Sequence, residues 1–401
     1  MAQRWLIPVL ILGPGTVLII ALGAVPLALL FGFGWLTAFI GGAILASTDP
    51  VVLREVLRDW RIPRSVRQVL KLEAGTNDLV VLPVILILIA VARSEMGDAT
   101  DWAVFLSQLL ILGPIIGFAI GGAGSWAMSA IDRRMGIRQE YQALYGIGLV
   151  LASYAAATAA GGDGFLGAFM AGLAVVLLNQ RLCDCFLSYG ETTSEMAMLL
   201  AFVLFGAVLS GIFGIVSWVP AVVLAVLVVF IIRPAVLGLV LSRARMSWEA
   251  HAFVSWFGPR GLNSLLLSLL VVQAGLPGAE LLLATVGVVV LMSTAVHGAT
   301  AVPVSAWYGR KAAAATLEEE RESDAAGLFI HPDEGATRIT PAQLHDMLQS
   351  EVPPIVLDVR SRSSYDFDRA ELPGSLRVLP DDVVEWAGAQ PPGRLVVSYC
   401  T

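Results

Sequence analysis

Polar side chains interrupt two apolar stretches early in the chain and are the first candidates for chemistry. Glu73, Asn77 and Asp78 lie within LEAGTNDLVV, residues 72–81, and Asp49 lies within ASTDPVV. A charged side chain at the centre of a bilayer costs about 2.5–3.5 kcal/mol on insertion scales, so such groups tend to face the interior of a helix bundle and to be functional. Carboxylates in this setting are suited to binding protons or cations.

The charge balance of these segments indicates a mobile partner. Asp49, Glu73 and Asp78 face one central arginine, Arg260, which leaves about two negative charges unpaired unless a proton or a metal cation supplies the balance. A structural salt bridge between Glu73 and Arg260 is the simplest alternative for those two residues. It does not account for Asp49 and Asp78, where a proton and a cation would compete. Competition for one site that opens alternately to the two sides of a membrane is antiport.

Three other ionisable residues in apolar segments are more simply explained as structural, namely Arg233, His251 and His297. We expect Arg233 to extend its charged end toward the membrane surface while its stem stays in the apolar region.

The backbone around Asp49 is predicted to break a membrane-spanning helix. Pro50 lacks an amide N–H and disfavours helix at the residue before it. Breaks of this kind are tolerated where they line a cavity, and their free carbonyls suit a hard cation. Thr48 and Asp49 would therefore offer a hydroxyl, carbonyls and a carboxylate at one point. Asn77 can both donate and accept hydrogen bonds, which suits a residue that ties off the broken backbone.

The composition is that of a membrane protein. Hydrophobic residues make up 57% of the 401 residues and charged ones 14%, against roughly 25% charged in soluble domains. Basic loops alternate with neutral or acidic ones, so the positive-inside rule places the N-terminus of this chain, the basic loops and the C-terminal tail in the cytoplasm. We predict an all-α polytopic membrane protein with about ten transmembrane helices, near residues 5–31, 34–57, 68–92, 102–130, 140–160, 164–180, 195–215, 217–241, 249–274 and 279–304.

The C-terminal part has a different composition. Residues 310–401 hold 9 Lys/Arg and 16 Asp/Glu, so the net charge of −7 belongs to this tail. An acidic linker over 310–336 leads into a segment, 337–401, with short β-branched runs and a helix that begins after Thr340 with Pro341 at its first position. These patterns predict a small cytoplasmic α/β domain.

Over about residues 5–309 the sequence resembles the monovalent cation/proton antiporters, specifically the sodium/proton exchanger branch. The matching segments follow the family's order: GAILASTDPVV, LEAGTNDLVVLPV, FLGAFMAGLAVVLLN and SWFGPRGLNSLLL. The resemblance implies an inverted-repeat membrane fold and a homodimer, each subunit having a scaffold domain and a moving core domain.

The resemblance also implies roles for individual residues. It makes Asp78 the carboxylate that alternately binds cation and proton, with further ligands from Thr48 and Asp49. It pairs Glu73 with Arg260. Asn77, which stands where the electrogenic branch has a second aspartate, implies electroneutral exchange of one cation for one proton. The resemblance to the sodium/proton exchanger branch makes Na⁺ the expected cation, with K⁺ and Li⁺ as the alternatives.

The chain departs from the family pattern at two points. Ala74 stands where the family usually has serine, so one hydroxyl ligand is absent and the sequence does not define the cation selectivity. The Thr48-Asp49-Pro50 break lies on the second predicted span instead of the fifth. About three N-terminal helices of the family are therefore expected to be missing from this chain.

The tail, from about residue 337 to the end, resembles a rhodanese-like domain. IVLDVRSRSSYDFDRAELPGSLRV has the Asp358-x-Arg360 strand end and the Pro373-Gly374 turn of that family. The resemblance implies that Cys400, after the strand LVVSYC, is a persulfide-carrying nucleophile. The chain ends one residue later, without the loop of N–H donors that activates such a thiolate, so we expect this chain to lack sulfurtransferase activity and the domain to be incomplete.

Three classes of function remain open at this point. The first is a secondary transporter in the plasma membrane, not an enzyme and without a cofactor. The second is a membrane-anchored sulfurtransferase whose spans serve mainly as an anchor. The third is a channel, which differs from an exchanger in whether flux saturates and requires a counter-ion. Anchoring requires only one span and no buried carboxylate, so the multiple spans favour the transporter. We expect a lipid bilayer and monovalent cations as partners, and no nucleic acid.

Overall fold

The computed structural model describes residues 10–50, 53–59, 61–93, 98–135, 137–178, 180–244, 246–314, 339–350, 353–360, 365, 369–378, 383–390 and 394–399. The chain divides into two compact units, residues 1–330 and 331–401. The first unit is helical, and the second contains a small parallel sheet.

The α-helices of the first unit are numbered in chain order. They are α1 (Thr16–Phe31), α2 (Trp35–Ala46), α3 (Arg54–Arg58), α4 (Arg64–Ala92), α5 (Ala99–Ser107), α6 (Gly113–Met135), α7 (Gln139–Ala159), α8 (Gly164–Leu178), α9 (Gln180–Ile212), α10 (Trp218–Val226), α11 (Arg233–Val240), α12 (Trp248–Trp256), α13 (Leu262–Gln273) and α14 (Ala279–Ala314).

Seven helical segments among the described residues are long and apolar enough to cross a membrane: Ile11–Phe31, Ser65–Ala92, Ala99–Met135, Tyr141–Ala159, Met196–Ile215, Trp218–Val240 and Ala279–Lys311. Three shorter apolar helices, α2, α8 and α13, lie within the remaining predicted spans. The polytopic helical class is therefore confirmed, whereas the count of ten membrane crossings stays a prediction.

The predicted break in the second span is confirmed. Helix α2 ends at Ala46, and Ser47 after it is extended, with φ −59° and ψ 134°. The next helix, α3, begins only at Arg54. Pro50 accounts for the break, because its ring disfavours helical geometry at Asp49 and removes a backbone donor.

A second break interrupts the span that we predicted to run continuously over 249–274. Helix α12 ends at Trp256, Phe257 is extended with ψ 103°, and α13 begins at Leu262. The intervening residues are FGPRG, in which Pro259 lies between two glycines. These residues give the break the same chemical origin as the first one.

A π-helical turn, Leu227–Ile232, precedes α11 and places Arg233. Pro234 follows that arginine, and its missing amide N–H weakens the regular i to i−4 hydrogen-bond pattern of the preceding turn. Single π turns of this kind are frequent at functional positions.

The largest group of buried apolar side chains connects the broken helices to their neighbours. It combines residues of α2, α4, α13 and α14, such as Ile44, Ile85, Leu265 and Val286. The two breaks thus lie among packed helices, and their free backbone groups must be satisfied by protein groups.

The first described helix of the second unit is α15 (Pro341–Leu348), whose N-cap Thr340 and Gln343 form a capping box. Its sheet has the order β2-β1-β3, all parallel, with β1 at Ile355–Asp358, β2 at Leu376–Arg377 and β3 at Val396–Tyr399. Helix α16 (Val383–Gly388) precedes β3. The α/β class predicted for the tail is thus present in its described residues.

Candidate ion-binding site

The two breaks contact each other directly at Asp49. The Asp49 amide donates to the Pro259 carbonyl over 2.9 Å, and the Leu262 amide donates to Asp49 Oδ2 over 2.9 Å. A Cβ atom at Gly261 would lie 1.8 Å from the same carboxylate oxygen. Only glycine therefore allows Asp49 to reach the first turn of α13, where the helix dipole favours negative charge.

Arg260 lies in the second break and satisfies the first one. Its Nη1 donates to the carbonyls of Ala46 (3.2 Å) and Ser47 (3.0 Å), at the C-terminal end of α2. Its amide donates to Ser293 Oγ of α14 over 2.8 Å. The side chain is 1% exposed, so its charge is held inside the bundle. The positive group meets the negative end of the α2 dipole.

Asp78 projects from α4 to the same point. Its Oδ1 accepts a hydrogen bond from Ser47 Oγ at 2.5 Å, and its Oδ2 accepts one from Asn263 Nδ2 of α13. Asp78 is only half-buried, in contrast to Asp49. Sequence reasoning missed both Ser47 and Asn263. The available signal was a polar residue beside each break, in otherwise apolar helices.

Asn77 closes the end of α2 in the way its chemistry suggested. Its Nδ2 donates to the Ala46 carbonyl over 2.6 Å, while its Oδ1 accepts a hydrogen bond from Thr16 Oγ1 over 3.4 Å. The side chain is 3% exposed. Asn77 thus holds broken backbone without adding a charge, and adjacent Asp78 faces the polar groups of both breaks.

The predicted pairing of Glu73 with Arg260 is wrong. Glu73 forms a bidentate ion pair with Arg233 of α11, in which one of the two contacts, Nη2 to Oε2, spans 3.0 Å. Arg233 is 1% exposed, so it does not extend toward the membrane surface as expected. It also donates to the Phe257 carbonyl in the second break. The physical reason is proximity, because α11 brings Arg233 beside α4 while Arg260 is engaged by the end of α2.

This pairing changes the charge balance. Three carboxylates, Asp49, Glu73 and Asp78, now share the described site with two arginines, Arg233 and Arg260. The predicted excess of about two negative charges falls to one when every group is ionised. One proton or one monovalent cation neutralises the cluster.

Thr48 and Pro50 complete the predicted set. Thr48 is fully buried, and its hydroxyl has no hydrogen-bond partner within the part of the chain that the structure describes. Buried hydroxyls are normally hydrogen-bonded, so this oxygen is available to a ligand. Pro50 is exposed at the far end of the break. The structure therefore brings Thr48, Asp49 and Asp78 to one junction, whereas Cys400 lies outside the described residues.

His251 and His297, which we expected to be structural, both contact backbone carbonyls through their ring nitrogens. His297 on α14 places its ring nitrogens 2.8 Å from the Ser293 carbonyl and 3.0 Å from the Trp256 carbonyl at the end of α12. His251 on α12 places its ring nitrogens 3.1 Å from the Ser247 carbonyl and 2.8 Å from the Leu241 carbonyl. Both rings bridge a helix to a neighbouring backbone segment.

Comparison with known proteins identifies the class to which this fold and site belong. A family model described as "Sodium/hydrogen exchanger, transmembrane" matches residues 2–307. The chain belongs to this family of multi-pass membrane proteins.

Individual relatives agree with that membership. The chain is 27% identical to the K(+)/H(+) antiporter NhaP of Alkalimonas amylolytica over 70% of this chain and 48% of the relative. It is 28% identical to the K(+)/H(+) antiporter NhaP2 of Shewanella sp. (strain ANA-3) over 71% of this chain and 50% of the relative. The chain thus spans about half the length of the curated relatives it matches.

A solved structure shares the fold. The sodium proton antiporter MjNhaP1 from Methanocaldococcus jannaschii superposes with a TM-score of 0.62, covering 76% of this chain and 79% of that chain at 16% identity. This likeness concerns the fold alone.

Proposed function

We propose that the protein is a secondary transporter that exchanges one monovalent cation for one proton, with Asp78 alternately binding the two. The observation that carries the proposal is the single excess negative charge at the crossing of two broken helices. Asp78 is the carboxylate that is half-buried and is held by neutral donors, whereas Glu73 is paired with an arginine. Either a cation or a proton at Asp78 makes the cluster neutral. Binding the two together would give the cluster an excess positive charge.

The stoichiometry follows from the same charge count. If one cation replaces one proton, the cluster carries the same charge in both loaded states. Reorientation of the site then moves no net charge across the membrane potential, which otherwise acts on each elementary charge with about 2.3 kcal/mol per 100 mV. We therefore infer electroneutral exchange.

The identity of the cation is a separate part of the proposal. The sequence resemblance favours Na⁺, and the name of the solved structure also includes sodium, whereas the curated relatives are named for K⁺. Na⁺ and K⁺ are accordingly both candidate substrates. We further infer that the protein lies in the plasma membrane with the basic loops and the tail in the cytoplasm, which the alternation of loop charges supports. A homodimer is proposed from the family resemblance alone.

The test is cation-driven proton movement in proteoliposomes that contain the purified chain and a pH-sensitive dye. Addition of Na⁺ or K⁺ should collapse an imposed pH gradient, and Asp78→Asn should abolish the response. Asp101→Asn provides the matched control, because this exposed carboxylate caps the start of α5. Retained exchange in Asp78→Asn would contradict the assignment. A rate that changes with a clamped membrane potential would contradict the one-for-one stoichiometry.

A further inference from the structure

Asn263 occupies an unusual position on α13. It is the second residue of a helix, Leu262–Gln273, whose other first-turn residues include Leu262 and Leu265. Its side chain is half-buried and donates through Nδ2 to Asp78 Oδ2. Its side-chain oxygen accepts no hydrogen bond from any residue that the structure describes. An amide group with one end bound to Asp78 and the other end open is thus present at the site.

The amide oxygen of Asn263 can supply a neutral oxygen ligand beside Asp78 that Ala74 of α4 cannot. Ala74 lies one helical turn before Asp78 on α4, is 4% exposed and carries no side-chain oxygen. The protein therefore draws its neutral polar groups from Ser47 in the first break and from Asn263 in the first turn of α13, directly after the second break. These two groups each hold one oxygen of the Asp78 carboxylate.

We infer that Asn263 is a ligand of the transported cation and determines its selectivity, an inference that rests on the proposed function and deepens it. In the cation-loaded site its side-chain oxygen joins Asp78, Asp49 and Thr48. Hard cations take oxygen ligands, and the number and field strength of neutral carbonyl dipoles are among the features that discriminate between K⁺ and Na⁺.

The change of partner requires little rearrangement. Asparagine carries two donors and a carbonyl acceptor on one planar group, and the torsion that rotates this group has broad minima. A rotation replaces the N–H contact to Asp78 by an oxygen that faces the cation. Asn263 has no charge, so this exchange of contacts leaves the excess of one negative charge unaltered.

The experiment compares cations in proteoliposomes with the full chain. Initial rates of dye response are measured against Na⁺, K⁺ and Li⁺ concentration for Asn263→Val, which removes the amide, and Asn263→Gln, which retains it at a longer reach. Ser268→Ala is the control, because Ser268 lies on the same helix and donates only to the Ser264 carbonyl. We expect Asn263→Val to raise the half-saturating concentration of the preferred cation about tenfold and to change the ratio between cations. Ser268→Ala should leave that ratio unaltered.

The outcomes separate this inference from the proposed function. Absence of exchange in the unaltered protein, or exchange retained in Asp78→Asn, would contradict the proposed function. If exchange depends on Asp78 but Asn263→Val keeps the same Na⁺:K⁺:Li⁺ ratio, Asn263 only positions Asp78, and the inference is overturned. If Asn263→Val does not fold, Asn263→Gln decides in the same way. A shifted ratio supports the ligand role, because a merely structural defect would weaken all cations alike.

Discussion

Arg233 and Glu73, 160 residues apart in the chain, form a bidentate ion pair inside the helix bundle. Glu73 lies on α4 about 1.4 turns before Asp78, and Arg233 also donates to the Phe257 carbonyl in the second break. The pair therefore connects the helix that carries Asp78 to the break that precedes α13, the helix of Asn263. It fixes the relative position of the two parts of the site without adding net charge.

This pair should be worth much more than a surface pair. Arg233→Met leaves Glu73 buried without its cation, and we expect a loss of about 3–5 kcal/mol in the free energy of unfolding. Arg61→Met removes the contact with Asp59 in the loop between α3 and α4, where Arg61 is 42% exposed, and should cost far less because water screens an exposed pair. Unfolding by SDS in mixed micelles measures both. Similar losses in the two variants would contradict the importance of the buried pair.

Substitution by alanine should be harmful at Gly261 and stabilising at Gly75. At Gly261 a Cβ atom would lie 1.8 Å from Asp49 Oδ2, so Gly261→Ala must displace the carboxylate from the Leu262 amide and abolish exchange. At Gly75 nothing lies within 4 Å of an added Cβ atom. Because Gly75 is inside α4, Gly75→Ala should raise stability by about 0.5–1 kcal/mol. Exchange assays combined with unfolding curves test the pair. An active Gly261→Ala would contradict the close approach.

Residues of the site could be predicted from the sequence mainly where a local pattern, such as a proline, marked them. Pro50 directly after Asp49 predicts the first break, and Pro259 between Gly258 and Gly261 is an equivalent signal for the second. The long apolar segment around Pro259 obscured it. The partner of Glu73 had no local signal, because two arginines were available and only the packing of α11 against α4 selects Arg233.

In the tail, too, local structure could be predicted from the sequence but long-range pairing could not. Thr340 followed by Pro341 correctly predicts the start of α15, and the β-branched runs correctly predict β1 and β3. The order β2-β1-β3 depends on pairing between distant segments, which a local pattern does not encode. The rhodanese-like assignment and the role of Cys400 stay predictions.

The tail sheet should lose stability at low pH through Asp358. Hydrogen bonds from Arg360, one of them 2.9 Å from Nε to Oδ1, lower the pKa of Asp358 from 3.8 to about 2. A carboxylate with a depressed folded-state pKa contributes stability above its unfolded pKa, and this contribution is lost as the pH falls from about 4 toward 2. Hydrogen–deuterium exchange of Ile355–Asp358 in the full chain, corrected for intrinsic rates, should rise over that range.

Asp358→Asn should remove the acid dependence of exchange in this strand, since the amide does not titrate. Asp346→Asn is the control, because Asp346 is exposed on α15. If the unaltered protein and Asp358→Asn show the same dependence on pH, the stabilisation by the Arg360 contact is refuted.

Substitution of Thr48 separates an effect on ion binding from an effect on the stability of the fold. Its hydroxyl is buried without a protein partner among the described residues, and so is that of Thr285 on α14. Valine has nearly the same shape as threonine. Removing an unsatisfied buried hydroxyl should therefore leave the free energy of unfolding unchanged or raise it by about 1 kcal/mol in both Thr48→Val and Thr285→Val.

Their effects on transport should differ. Thr48 lies beside Asp49 in the first break, so Thr48→Val deletes a proposed oxygen ligand and should raise the half-saturating cation concentration about tenfold. Thr285→Val has the same chemistry away from the break and should leave that concentration unchanged. Cation titrations of the dye response in proteoliposomes measure both. Equal behaviour of the two variants would remove Thr48 from the ligand set.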